Sequence, residues 1–232
     1  MSKLFLIPTP LGEGAINVIP PYIGEIIRNL DIFIVEKAKT ARHCIKAICP
    51  EIILQNLLME ELNEHELKSA EVFFLEHIAK GKNIGLLSEA GCPGVADPGA
   101  TIVALAHKKN IEVVPLVGPS SILLALMGSG MNGQSFTFNG YLGAKTENLL
   151  KDLKRLETQA LKFKQAQIFI ETPYRNKNVL DIALKNLNAT TKLCIACDLT
   201  LPTQYIKTLS ISDWKKTTLP DLHKRPVVFI IG

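Results

Sequence analysis

Short apolar runs alternate with longer stretches of helical spacing along the chain. Leu4-Phe5-Leu6-Ile7 is a run of four, closed by Pro8-Thr9-Pro10-Leu11-Gly12, and reads as a buried strand. Tyr22, Ile23, Ile26, Ile27 and Leu30 recur at helical spacing behind Pro20, which predicts a helix over 20–30. A strand at 32–35, a helix over 37–48 and a brief strand at 52–54 follow. Leu67, Ala70, Phe73, Phe74, His77 and Ile78 mark a helix over 64–80, stopped by Gly81. Next come a strand at 84–87, a helix over 100–109, a strand at 113–117 and a helix opening after Gly118-Pro119-Ser120-Ser121. Beyond Gly133, strands are expected at 136–141, 167–170, 192–196, 205–209 and 227–231. Helices are expected over 148–161 and 177–187, with a short turn at Trp214. This alternation predicts two α/β domains, 1–130 and 131–232.

A chain of 232 residues, 47% hydrophobic and 21% charged, buries enough apolar surface to fold without disulfides or a structural metal. Its cysteines (Cys44, Cys49, Cys92, Cys194 and Cys197) are odd in number and scattered, which points to free thiols in a reducing compartment. Met1-Ser2-Lys3 leads straight into the first strand, leaving no room for a signal peptide. The longest apolar stretch, 113–127, is broken by Pro115, Gly118 and Pro119, so no membrane span is expected. A cytoplasmic protein is the expectation. The net charge of +4 is unevenly spread: residues 1–143 hold 11 Lys and Arg against 14 Asp and Glu, residues 144–232 hold 15 against 8. The basic excess suits a polyanion such as RNA, and equally an ordinary solvated helix face.

Three loops rich in Gly and Pro, at 8–14, 88–99 and 118–121, each follow a buried strand. In open α/β sheets ligands sit beyond the carboxyl ends of strands, so these loops should converge on one cleft. Gly91, Gly94 and Gly99 allow close backbone approach, while Pro93 and Pro98 stiffen the same loop. Ser120 and Ser121 open a helix, where they serve either an anionic group or plain capping. Glu36 ends the second strand beside Lys37, Lys39 and Arg42, where a carboxylate would orient a substrate hydroxyl or complement the helix dipole. In Glu171-Thr172-Pro173-Tyr174-Arg175, the arginine is placed to grip phosphate and the tyrosine to stack on a base, unless the segment merely starts a helix.

Other motifs carry less. Gly128-Ser129-Gly130-Met131-Asn132-Gly133 has the dinucleotide spacing but follows a helix and precedes a strand, the reverse of what phosphate binding requires, so it reads as a helix stop and interdomain turn. Cys194 and Cys197 on one strand point to opposite faces and read as core residues. The five histidines lack metal spacing, and no metal is expected.

Taken together, Pro8–Gly12, Ser88-Glu89-Ala90-Gly91-Cys92-Pro93-Gly94-Val95-Ala96-Asp97-Pro98-Gly99, Pro115–Ser121, Glu171–Arg175 and Ala196-Cys197-Asp198-Leu199-Thr200, in that order, resemble the tetrapyrrole methylase superfamily. The resemblance is closest to its small-subunit rRNA 2′-O-ribose (cytidine) methyltransferase branch and runs from Leu4 to Gly232. It implies a two-domain α/β fold with a cofactor cleft between the domains, a homodimer, S-adenosylmethionine as methyl donor and the small ribosomal subunit as partner. Matched residue by residue, Pro10, Ser88, Glu89, Ala90, Gly91, Val95, Ser120 and Ser121 would line the cofactor site. Glu36, Arg42 and Arg175 are the candidates for catalysis. The rRNA enzymes carry Glu-Asp-Thr-Arg after the second strand, where this chain has Glu36-Lys37-Ala38-Lys39, and they continue into a C-terminal appendage beyond the position of Gly232. A methyltransferase for a small molecule such as a tetrapyrrole, or a catalytically silent relative that binds cofactor and RNA, are the alternatives.

Overall fold

Five strands of the first half pair side by side: β1 (Lys3–Ile7), β2 (Ile32–Val35), β3 (Leu58–Glu61), β4 (Ile84–Leu87) and β5 (Glu112–Pro115). All are parallel, in the order β3-β2-β4-β1-β5. β2 and β4 are buried along their whole length, which is why they read as unbroken apolar runs and not as alternation. On one face α1 (Tyr22–Arg28) and α2 (Ala38–Ile48) pack Ile23, Ile27 and Ile45 onto Ile7, Phe33, Val35 and Leu87. On the other, α3 (Leu67–Ala79) and α4 (Ala100–Lys108) pack Ala70, Phe74, Ile102 and Ala106 onto Leu4, Ile32, Ile34 and Leu86. β1 and β2 thus lead to helices on one face and β4, which lies between them, to a helix on the other. Connections that leave adjacent strands in opposite directions open a crevice at the strands' carboxyl ends. The computed structural model describes residues 2–62 and 67–232, so the expected helical start at 64–66 lies outside the described residues.

The strand expected at 52–54 is found instead at Leu58–Glu61. Ile52 packs into the α1–α2 side of the core, Ile53 is exposed, and the segment runs through one 3-10 turn at Leu54–Asn56. β3 has a single neighbour and ends in two glutamates, so its sequence signal is weaker than that of the isoleucines before it.

The second sheet, in the order β6-β7-β10-β8-β9, is built from β6 (Phe136–Tyr141), β7 (Ala166–Ile170), β8 (Lys192–Cys197), β9 (Tyr205–Ser210) and β10 (Val227–Ile231). Only β6 and β7 pair in parallel, joined through α6 (Thr146–Phe163); the other neighbours are antiparallel. The short β8–β9 connection permits nothing else. α6, α7 (Asn176–Asn186) and α8 (Ile211–Trp214) cover one face over Phe169, Leu193, Ile195, Phe229 and Ile231. Trp214 is fully buried there, and its indole N–H donates to Leu193 O at 2.8 Å. α5 (Ser121–Ser129) packs on β8, β9 and β10. The chain therefore divides into units Met1–Ser120 and Ser121–Gly232, ten residues before the 130/131 boundary read from the sequence. The Gly128–Gly133 stretch ends α5 inside the second unit, with Gly130 at φ 67°.

Candidate active site

The loops that follow β1, β4 and β5 are locked to one another by main-chain contacts. Thr9 N–H donates to Gly91 O at 2.9 Å and Gly91 N–H to Thr9 O at 3.1 Å, a two-bond antiparallel bridge between the first two loops. Thr9 Oγ1 donates to Ser88 O at 3.3 Å, and Ser88 Oγ to Gly91 O at 3.4 Å. Gly91 sits at φ 78°, and a Cβ there would come within 3.1 Å of Leu11 Cδ2 and 3.4 Å of Pro119 O. The third loop closes on the first even more tightly: a Cβ on Gly118 would lie 2.1 Å from Pro8 Cβ. The Cys92 thiol donates to Pro119 O at 3.4 Å. Asp97 shapes the rest of the β4 loop by accepting from Gly94 N–H at 2.9 Å and Gly99 N–H at 2.7 Å, while Ala96 takes a left-handed φ of 61°.

Beside these loops, a cavity of about 610 Å³ opens where β2 and β4 end. Leu62 and Leu67 give it an apolar wall, and Glu36, Glu89, Asp97 and Lys37 are its charged lining. Glu36 Oε2 accepts the Glu89 backbone N–H, and no other hydrogen bond to this carboxylate is found among the described residues. The Glu89 side chain turns to α2, accepting from Lys37 Nζ at 2.7 Å and Thr40 Oγ1 at 3.3 Å. Burial pushes the Glu36 carboxyl above its ordinary range. The Glu89 N–H opposes that shift, the Asp97 and Glu89 carboxylates add to it, and Lys37 offsets part of it. A carboxylate held partly desolvated at a strand end is a stronger proton acceptor than a freely solvated one.

Of the residues expected to line a cofactor site, Ser88 and Gly91 are buried in the loop bridge, Pro10 is half-buried, and Glu89, Ala90 and Val95 are exposed. Ser120 closes the first unit and Ser121 opens α5, both half-buried. Arg42 is exposed on α2 and makes no hydrogen bond or ion pair among the described residues. Thr9, Gly118 and Asp97 hold the loops together yet were not among the expected site residues. The Asp97-Pro98-Gly99 spacing was a usable sign, because an aspartate just before Pro-Gly commonly caps its own turn. The thiols are poor nucleophiles: burial raises Cys44 to about 11 and Cys197 to about 12. Cys194 and Cys197 are fully buried, and Cys197 alone of the two faces the α6–α7 core.

Arg175, in the second unit, is already engaged. Its Nη2 donates to Gly143 O at 3.0 Å and lies 3.0 Å from Glu171 Oε2, an ion pair without hydrogen-bond alignment. The other Glu171 oxygen accepts the Thr172 N–H at 2.7 Å. A second guanidinium clamp stands at the same end of the sheet. Arg225 Nε donates to Asp198 Oδ2 at 2.8 Å, Nη1 to Asp221 O at 2.8 Å and Nη2 to Thr203 O at 2.7 Å.

No protein-family model matches the chain. Among relatives, the ribosomal RNA small subunit methyltransferase I of Bacillus subtilis (strain 168) is 34% identical over 181 residues, 78% of this chain and 58% of that protein. The protein of that name from Synechocystis sp. is 30% identical over 204 residues, 86% of this chain and 68% of the relative. The one from Buchnera aphidicola subsp. Schizaphis graminum is 28% identical, covering 98% of this chain and 77% of the relative. Two solved structures share the fold across the whole chain. The methyltransferase CobJ superposes with a TM-score of 0.65 at 18% identity, covering 94% of that chain. Uroporphyrin-III C-methyl transferase from Thermus thermophilus, complexed with S-adenosyl homocysteine, superposes with 0.57 at 12% identity, covering 97% of that chain. With this identity and coverage, and with its α/β units matching those of tetrapyrrole methylases, the chain belongs to the ribosomal RNA small subunit methyltransferase I family.

Proposed function

We propose that this enzyme transfers the methyl group of S-adenosylmethionine to a ribose 2′-hydroxyl of small-subunit ribosomal RNA. The observation that carries the reading is the set of three interlocked loops at the carboxyl ends of β1, β4 and β5, in a chain of this family. The tetrapyrrole enzymes among the structural neighbours share only 12–18% identity and speak to the fold, whereas the sequence relatives are rRNA enzymes.

The residues present fit such a cofactor. Gly91, a position where any side chain would press on Leu11 and Pro119, lets the three loops close on one another, and Glu89 and Ala90 beside it are exposed to a ligand. In this assignment Pro10, Ser88, Glu89, Ala90, Gly91, Val95, Ser120 and Ser121 hold the cofactor. When bound, S-adenosylmethionine supplies an already activated sulfonium methyl, so the protein's task is alignment and exclusion of water. Glu36 Oε1 is left to accept the proton of the acceptor hydroxyl, since Oε2 is tied to the Glu89 N–H. Arg42, exposed on α2, is assigned to a phosphate of the RNA. Arg175 acts one step removed, by fixing the Gly143 main chain and Glu171. A homodimer and a cytoplasmic location follow from the family resemblance, and among the described residues no helix is long and apolar enough to cross a membrane.

Calorimetric titration with S-adenosylmethionine and S-adenosylhomocysteine tests the reading. Saturation near one site per chain is expected, followed by methyl transfer to undermethylated small ribosomal subunits. Well-folded protein that takes up neither compound removes the cofactor assignment and the enzyme reading with it.

A further inference from the structure

Two loops of the second unit present an exposed ring and an exposed ammonium side by side, at the end of the sheet where both guanidinium clamps stand. Tyr174 is 72% exposed, its ring centroid 6.0 Å from Lys224 Nζ and 6.3 Å from the His223 ring, which stands nearly perpendicular to it. At this exposure the ring is open to a partner from solvent.

The backing of the pair is rigid. The turn bearing Tyr174 is closed by Arg175 N–H donating to Thr172 O at 2.9 Å and anchored by Glu171, which is buried. Arg175 ties the same turn to Gly143. The loop bearing Lys224 is held by the three Arg225 bonds and by Asn176 Nδ2, which donates to Arg225 O at 2.7 Å. Lys224 itself takes a left-handed φ of 58°, a conformation a lysine adopts only where its surroundings impose it. Lys145 and Lys177, also exposed, flank this end of the sheet, in a unit with 15 Lys and Arg against 8 Asp and Glu.

We propose that Tyr174 and Lys224 form a stacking platform for an unpaired base of single-stranded RNA, with Tyr174 taking the base on its open face and Lys224 the adjoining phosphate. The chemistry selects this partner. A flat aromatic face accepts any base, an ammonium beside it complements the backbone charge, and a rigid mounting lowers the entropic cost of capture. A duplex keeps its bases stacked internally and offers only phosphates, so it engages Lys224 but not Tyr174. The assignment rests on the reading that this enzyme acts on RNA, and adds a contact for substrate capture distinct from the methyl-transfer residues.

Fluorescence anisotropy of a labelled single-stranded RNA of roughly ten nucleotides, titrated with the full chain, tests it. Tyr174→Ala should weaken binding about ten-fold or more while leaving the slope of log affinity against log salt unchanged. Tyr174→Phe, which keeps the ring, should bind as the wild type does. Lys224→Ala should lower the salt slope by about one. Because Tyr174 is so exposed, its truncation leaves the core untouched, and S-adenosylmethionine titration of each variant verifies the fold. Wild-type affinity in Tyr174→Ala overturns the platform and leaves the RNA reading standing. A wild-type chain that binds S-adenosylmethionine but no RNA overturns both.

Discussion

In the first unit the loops after β1, β4 and β5 are held by main-chain contacts: the Thr9–Gly91 bridge and the close approach of Gly118 to Pro8. In the second, the loops after β7 and β8 and before β10 are held by guanidinium groups, Arg175 on Gly143 and Glu171, and Arg225 on Asp198, Asp221 and Thr203. On the assignments proposed above, the contrast follows from what each set of loops presents. Loops that offer main chain to a small ligand cannot carry bulky side chains between themselves, so glycine and proline do the fastening. Loops that offer side chains to a large polyanion can be fastened by side chains. The first kind fails when a carbon is added, the second when a charge is removed.

Four substitutions probe that contrast, beginning with the largest effect. Asp198→Ala strips Arg225 of its carboxylate and places alanine at the left-handed φ of 48°; it should cost about 3 kcal/mol. Amide exchange should show lost protection confined to the second unit, and equal loss in both units would break the comparison. Gly118→Ala forces a carbon onto the rigid Pro8 ring, at a cost of about 2 kcal/mol and most of the cofactor affinity. An unchanged denaturant midpoint would show that main-chain fastening yields more easily than the geometry implies.

Smaller effects sharpen the chemistry. If Glu36 accepts the hydroxyl proton, activity rises with pH as its carboxyl ionises, with a midpoint above the ordinary 4.5 because its pKa is raised. Glu36→Gln should abolish that limb in a pH–rate profile, and a limb that persists assigns the proton to another group. Lys37→Met removes a cation that lowers the Glu36 pKa, so the same limb should move slightly upward. The Lys37–Glu89 pair is exposed, so stability should change by only about 0.5 kcal/mol, read as thermal midpoint.

Much of this arrangement is written in local sequence. β2 and β4 announce themselves as four-residue apolar runs between polar breaks, and the Ser88–Gly99 segment announces a rigid loop through its glycines and prolines. What local pattern cannot carry is the identity of a distant partner. Nothing near Thr9 names Gly91, and nothing near Lys37 names Glu89. Arg175 illustrates the same limit from the other side. Its sequence leaves open a phosphate ligand or a plain helix start, and nothing in it names Gly143, 32 residues away, to which the fold bonds it. β3 lies beyond the strand expected at 52–54 because an edge strand is stabilised by its single neighbour more than by its own residues, and α5 reads equally well for either unit until the β8–β10 surface it covers is known.

The reciprocal pair of bonds between Thr9 and Gly91 also bears on how quickly and how tightly a ligand is received. Joining the ends of two adjacent parallel strands, it prevents either loop from sampling an open form without breaking both bonds at once. A molecule settling on these loops meets a surface whose conformational entropy was already lost when the chain folded, and so is spared that loss at the moment of binding. For a cofactor held as proposed, encounter is then governed by diffusion and orientation more than by rearrangement of these two loops.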